Sequence, residues 1–519
     1  MLLTELLEKN IKSFGEYSLL HYGEKSYTNV ETENMARKVS CLIDSLGIGA
    51  GERVLVCMPN CPEVIFSYQG ILRSGAIVVP AMHRLHEKEI NYILEDSEAK
   101  AIVTSSFLLS KMVKATDGLS LMEKPKIICI DAPHAEDLGK ENDVEIIEWQ
   151  KALKNVDINK ERRTDLTESD VAVILYTSGT TGKPKGVMLT HKNLYASASN
   201  SAALRDNDKR GTTLGVLPLA HIYGFGVMNG LFIQGNSVVI FSKFDAEEVF
   251  KAIERFKVSS FAAVPAMVHS MVYNPNADKY DLSSLETVGS GSAALPISLR
   301  KKFLEQFNAE VHDAYGLSEA SPGVAGQRKD MPIKEGSVGL PIPGVKIKIV
   351  DEKGNELSPG EVGELLVQGD NVTPGYFRNE EATRAALKGG WLHTGDLAKI
   401  DEDGYLFIVD RKKDLIIRGG FNIYPRDLEE LLTKHEAVSE AAVIGVPSER
   451  MGEEILACVV KKDGVEVTEQ ELIDYCQIHL AKYKTPRQVV FVNELPRNGV
   501  GKILKMRLKD MYQDYKFPV

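Results

Sequence analysis

Residues 176–187 read Tyr176-Thr177-Ser178-Gly179-Thr180-Thr181-Gly182-Lys183-Pro184-Lys185-Gly186-Val187. From Thr177 onward the stretch holds four hydroxyls, three glycines and two lysines in eleven residues. Glycines let backbone N–H groups turn inward on an oxyanion, hydroxyls add short donors, and lysines add charge. Residues 171–176, just before it, form an apolar, β-branched run that predicts a strand entering the loop. Residues 187–189 predict a strand leaving it. The spacing G-x-x-x-x-G-K-[ST] is absent, and Pro184 blocks the helix that follows a Walker A lysine. The stretch therefore predicts a strand–loop–strand phosphate holder.

Outward from that loop, strands are predicted at residues 53–58, 76–80, 101–104, 211–217, 237–241 and 260–264, and helices at 30–46, 62–74 and 86–95. Strands alternating with helices imply an α/β fold, a mostly parallel sheet with helices on its faces. From residue 344 the pattern changes to period-two strands at 345–350, 363–368 and 405–409, with glycine-bearing turns at Gly354 and Gly404. That is a small β-rich subdomain. After Asp410 comes the charged run Arg411-Lys412-Lys413-Asp414. The rest has its own βαβ-like pattern, with helices at 428–435 and 469–480 and strands at 441–446 and 455–460. The expected organisation is an N-terminal domain over 1–410, its β-rich part over about 336–410, and a small α+β C-terminal domain over 411–519.

A chain of 519 residues is too long for one core. Lys plus Arg number 62 against 73 Asp plus Glu, and the net charge of −11 argues against a nucleic-acid or anionic-membrane binder. The six cysteines form no C-x-x-C pair, which argues against a zinc site or disulfide framework and fits a reducing cytoplasm. Residues 1–10 read as an amphipathic helix, not a signal peptide. No apolar run approaches the roughly 18 residues of a membrane span. Peripheral membrane contact and homodimer formation stay open.

The loop resembles the signature of the adenylate-forming superfamily: acyl-CoA synthetases, peptide-synthetase adenylation domains and beetle luciferases. The resemblance spans essentially the whole chain, and further motifs follow in the family's order. It implies that Thr177, Ser178, Gly179, Thr181 and Lys185 bind ATP phosphates, and that Thr180 serves catalysis and Mg²⁺. Asp313-Ala314-Tyr315-Gly316-Leu317-Ser318-Glu319 resembles the block Y-G-x-T-E, with serine in place of threonine. Asp313, Ala314, Tyr315 and Gly316 would line the adenine, with Tyr315 stacked on it. Ser318 would touch the α-phosphate, and Glu319 would hold Mg²⁺. Ser292, Ala293 and Ala294 resemble the small-residue turn beside adenine. Asp396, in Trp391-Leu392-His393-Thr394-Gly395-Asp396-Leu397, and Arg411 resemble the ribose-binding pair. His221 lies in a block similar to the acyl pocket's edge. Gly501-Lys502 resembles the C-terminal block that carries the adenylation lysine, although Asn498-Gly499-Val500 stands where relatives have Thr-Ala-Thr.

The implied reaction uses ATP, Mg²⁺ and coenzyme A. A carboxylic acid becomes an acyl-adenylate with loss of pyrophosphate, then a thioester with loss of AMP. Lys502 would bridge the carboxylate and the α-phosphate, which is electrostatic catalysis without a general base. The resemblance makes the C-terminal domain mobile about Lys413, and Gly419 and Gly420 would let pantetheine pass. Residues 221–227, 261–267 and the Gly289 region would line the acyl pocket, where small Gly226, Ala262 and Ala263 suggest room. A medium- or long-chain fatty acid is the expected substrate. An aryl acid, or the loading of a carrier protein, is the alternative. A non-catalytic nucleotide-binding scaffold would predict decay of the loop, Glu319 or Lys502, and all three are intact.

Overall fold

The structure is a computed structural model that describes residues 1–132, 139–140, 142–162, 164–177, 183–203, 210–293, 295–328, 331–448, 450–497, 502–515 and 517. The chain folds into two compact units, Met1–Lys346 with Val367–Leu392, and Ile347–Leu366 with His393–Val519.

The first unit is built on an eight-stranded sheet. Its order is Gly375–Tyr376, Lys185–Thr190, Val171–Thr177, Ile77–Pro80, Arg53–Cys57, Ala101–Thr104, Lys126–Cys129 and Ile146–Glu148. From Val171–Thr177 to Ile146–Glu148 neighbouring strands run parallel. Alternate residues explain why these strands read as unbroken apolar runs. Val54 and Val56 enter one core with the helices Asn29–Ser45 and Pro62–Arg73. Leu55 and Cys57 enter another with the helices Glu87–Ser97 and Ser106–Ala115. A strand covered on both faces needs no polar side.

A five-stranded sheet has Ser260–Ala263, Thr287–Ser290 and Glu310–Gly316 parallel, then Gly323–Gly326 and Leu340–Pro341 antiparallel. A four-stranded sheet joins Thr212–Gly215 and Ser237–Ile240 to the hairpin Ser18–Tyr22/Lys25–Thr28. The sequence reading did not find that hairpin.

In the second unit Val438–Ser448 and Gly452–Lys461 form one long antiparallel hairpin. Only the next step is a true crossover: Gly452–Lys461, the helix Glu469–His479, and the parallel strand Gln488–Phe491. The two strands are longer than their predicted six-residue cores, because pairing continues through the exposed or half-buried ends to Ser448 opposite Gly452, while the cores are buried on both faces. Val443, Ala457 and Val459 pack with Leu428 and Leu472, while Ile444, Leu456 and Cys458 pack with Leu508. All six cysteines are buried and unpaired with one another. Among the described residues, no helix is long and apolar enough to cross a membrane.

Candidate active site

The strands on either side of the candidate phosphate loop pair antiparallel, with Tyr176 opposite Gly186 and Thr177 opposite Lys185. This is the expected strand–loop–strand. Ser178, Gly179, Thr180 and Thr181 lie outside the described residues. Both stems are tied to the helix Glu87–Ser97. The Tyr176 hydroxyl donates to Asp96 Oδ2 at 2.5 Å, and the Tyr92 hydroxyl donates to the Pro184 carbonyl at 3.1 Å. Burial, and then the Asp96 carboxylate, push the Tyr176 phenol up, so it stays a donor.

The adenine candidates gather at one sheet edge. Ala262 pairs in register with Gly289, and Ser290 with Asp313, on three parallel strands. The turn through Ser292 and Ala293 and the block from Asp313 to Glu319 therefore leave the carboxyl ends of adjacent strands, where α/β sheets hold ligands. Ser292, Ala293, Ala314 and Gly316 are exposed, and Tyr315 and Ser318 are half-buried. Ala294 lies outside the described residues. Asp313 has a structural tie as well: its carboxylate pairs with Arg300, and its N–H donates to Gln327 Oε1 at 2.9 Å.

Glu319 sits in the turn Ser318–Ala320 and accepts at Oε1 from the Tyr376 hydroxyl at 2.9 Å. Among the described residues no three His, Cys, Asp or Glu side chains cluster as a metal cage. One hard carboxylate fits an ion that takes its remaining oxygens from phosphates and water, the habit of Mg²⁺. Bound there, Mg²⁺ would neutralise phosphate charge.

His221 caps the helix Ile222–Gln234, its Nδ1 accepting from the Tyr223 N–H at 3.3 Å. The Tyr223 hydroxyl donates to the Gly289 carbonyl at 3.4 Å, which ties the His221 block to the strand that leads into the candidate adenine turn. Not all the small residues supply room, however. A Cβ on Gly226 would lie 2.9 Å from Pro322 Cδ, so Pro322 already uses that space. Ala263 is buried in the core around Phe250 and Phe303. Their smallness serves packing.

In the second unit Asp396 stands opposite Arg411 on paired antiparallel strands, with Arg411 Nε 3.5 Å from Asp396 Oδ1. Glu364 supports the turn beneath them, accepting from the Gly395 N–H at 3.3 Å and pairing with Lys412 at 3.2 Å. Lys502 lies within the same charges. Burial, and next the Arg411 guanidinium, push its ammonium down to about 8, while Asp396 opposes them. The Lys413 carbonyl accepts from Lys509 Nζ at 3.5 Å. Gly419 and Gly420 form the turn of the hairpin Ile416–Arg418/Phe421–Ile423, at φ of 56° and 84°. Two positive φ values in a two-residue turn call for glycine. A Cβ on Gly420 would meet nothing within 4 Å.

The sequence reading missed Tyr376, Tyr92, Asp96 and Glu364. Tyr376 follows Gly375 in a two-residue strand, a signal too short to stand alone.

The chain carries a loop on paired antiparallel strands and a sheet whose parallel strands end in the candidate adenine block, both in the first unit, and Asp396, Arg411 and Lys502 together in the second. The family model for AMP-binding enzymes matches residues 7–377, and that for the AMP-binding enzyme C-terminal domain matches 427–502. A long-chain-fatty-acid–CoA ligase of Bacillus subtilis is 36% identical over 529 residues, covering 98% of this chain and 94% of that one. The 4-coumarate–CoA ligase CCL1 of Humulus lupulus is 33% identical over 519 residues, covering 96% and 92%. The crystal structure of ATP-bound MatB from Rhodopseudomonas palustris matches with a TM-score of 0.90 at 28% identity, covering 99% of this chain and 100% of that one. The chain belongs to the AMP-binding enzyme family. Within it, the chain is an acid–CoA ligase of the AMP-forming type, with ATP and coenzyme A as substrates.

Proposed function

We propose that this ligase activates a medium- or long-chain fatty acid, with Mg²⁺ on the ATP phosphates, in the cytoplasm. The similarity to the Bacillus subtilis fatty-acid ligase over 98% of the chain supports the substrate class. The 4-coumarate ligase, at 33%, makes an aryl acid the second reading. The unpaired cysteines support the compartment.

The observation that carries the mechanistic reading is the grouping of Lys502 with Asp396 and Arg411. Asp396 and Arg411 hold the ribose hydroxyls. Lys502 bridges the acyl carboxylate and the α-phosphate as the carboxylate oxygen attacks phosphorus and pyrophosphate leaves. Thr177 and Lys185 steady the departing phosphates, and Glu319 would hold Mg²⁺, whose charge would help neutralise them. The CoA sulfur then attacks the acyl carbonyl, its proton passes to solvent, and AMP leaves. Lys413 is the hinge between the half-reactions, with the domain boundary at 410/411, and the side-chain-free turn Gly419-Gly420 admits pantetheine. The test is a panel of acids assayed for AMP release with free CoA. Turnover restricted to aryl acids refutes the fatty-acid reading.

A further inference from the structure

Tyr376 lies between two groups of opposite charge in the first unit. Its hydroxyl donates to Glu319 Oε1 at 2.9 Å, and the Lys185 ammonium sits 5.4 Å from its ring centroid. Its place is fixed from three directions. Tyr376 pairs in register with Val187 on the strand that leaves the phosphate loop. Its N–H donates to Thr383 Oγ1 at 2.9 Å. The segment just before it grips the Glu319 turn: the Thr373 N–H donates to the Glu319 carbonyl at 2.8 Å, and Asn371 Nδ2 donates to the Ala320 carbonyl at 2.9 Å. Thr373 Oγ1 also donates to the Met188 carbonyl at 2.5 Å. The segment from Asn371 to Tyr376 thus joins the Glu319 turn to the phosphate-loop strand.

We propose that Tyr376 is a positioning residue for adenylation: its hydroxyl holds Glu319 Oε1 and leaves the other carboxylate oxygen to the metal on the ATP phosphates. This rests on the reading of Glu319 as the metal ligand. A carboxylate has two oxygens, and a fixed donor on one directs the other. The same ring lies under the Lys185 ammonium, a contact that does not use the hydroxyl.

The test compares two ligands on the full chain. Tyr376→Phe keeps the ring under Lys185 and removes only the donor. Affinity is measured by equilibrium dialysis for ATP with Mn²⁺ and for ATP in excess EDTA, with thermal unfolding as a check on folding. The variant is expected to bind Mn²⁺·ATP about tenfold more weakly, with metal-free ATP unchanged within about twofold, as for loss of one charge-assisted hydrogen bond. In a Glu319→Gln background it should add nothing further. Equal loss of both ligands, or of neither, overturns the proposal. If Glu319→Gln weakens Mn²⁺·ATP and Tyr376→Phe does not, only the role of Tyr376 falls. If Glu319→Gln leaves Mn²⁺·ATP untouched, the metal reading of Glu319 falls and this proposal with it.

Discussion

Asp396 and Arg411 face each other across one antiparallel strand pair, the carboxylate buried and the guanidinium partly open. Asp396→Asn keeps the shape and removes the charge. A charged acceptor is worth about 1.5–3 kcal/mol, so KM for ATP in acid-dependent pyrophosphate exchange should rise about 10- to 100-fold. An unchanged KM contradicts the ribose role.

Lys502 is pushed down to about 8, chiefly by burial. Its cation is therefore lost as pH rises through that value. Single-turnover adenylation should fall along a one-proton limb above about pH 8. Lys502→Arg keeps the charge and should flatten that limb. Lys502→Ala should cost about 10²–10³ in adenylation while sparing thioester formation from supplied acyl-adenylate. A limb that survives in Lys502→Arg assigns the titration elsewhere.

Lys413→Pro fixes φ near −65° at the proposed hinge. Pyrophosphate exchange should persist, and thioester formation should fail. Equal loss of both half-reactions would argue against the hinge.

Glu33 illustrates a stability effect. It is buried beside Arg73, which also pairs with Glu8 and Glu161. Burial pushes the Glu33 carboxyl up to about 7, against the attraction of Arg73. Its ionisation therefore costs nothing below the unfolded value, costs progressively more from about pH 4.5 to 7, and stays constant above. Glu33→Gln should raise the melting temperature more at pH 8 than at pH 5. A larger gain at pH 5 would reverse the sign.

The sequence announced its parallel strands because both faces are buried, and its phosphate loop because eleven residues carry one chemistry. Glu319, Asp396, Arg411 and Lys502 stood out because each sits in a motif of several residues. Tyr376, Asp96 and Glu364 did not. Each acts through a partner distant in the chain: 57 residues separate Tyr376 from Glu319, and 80 separate Asp96 from Tyr176. Local pattern carries no trace of such pairings. The roles of Gly226 and Ala263 also depended on neighbours that only folding supplies.

The helix Glu87–Ser97 holds both stems of the phosphate loop, Tyr176 through Asp96 and Pro184 through Tyr92. Two strands far along the chain are therefore moored to one early helix, so a change at Asp96 or Tyr92 would be felt at Tyr176 and Pro184, 80 and 92 residues later.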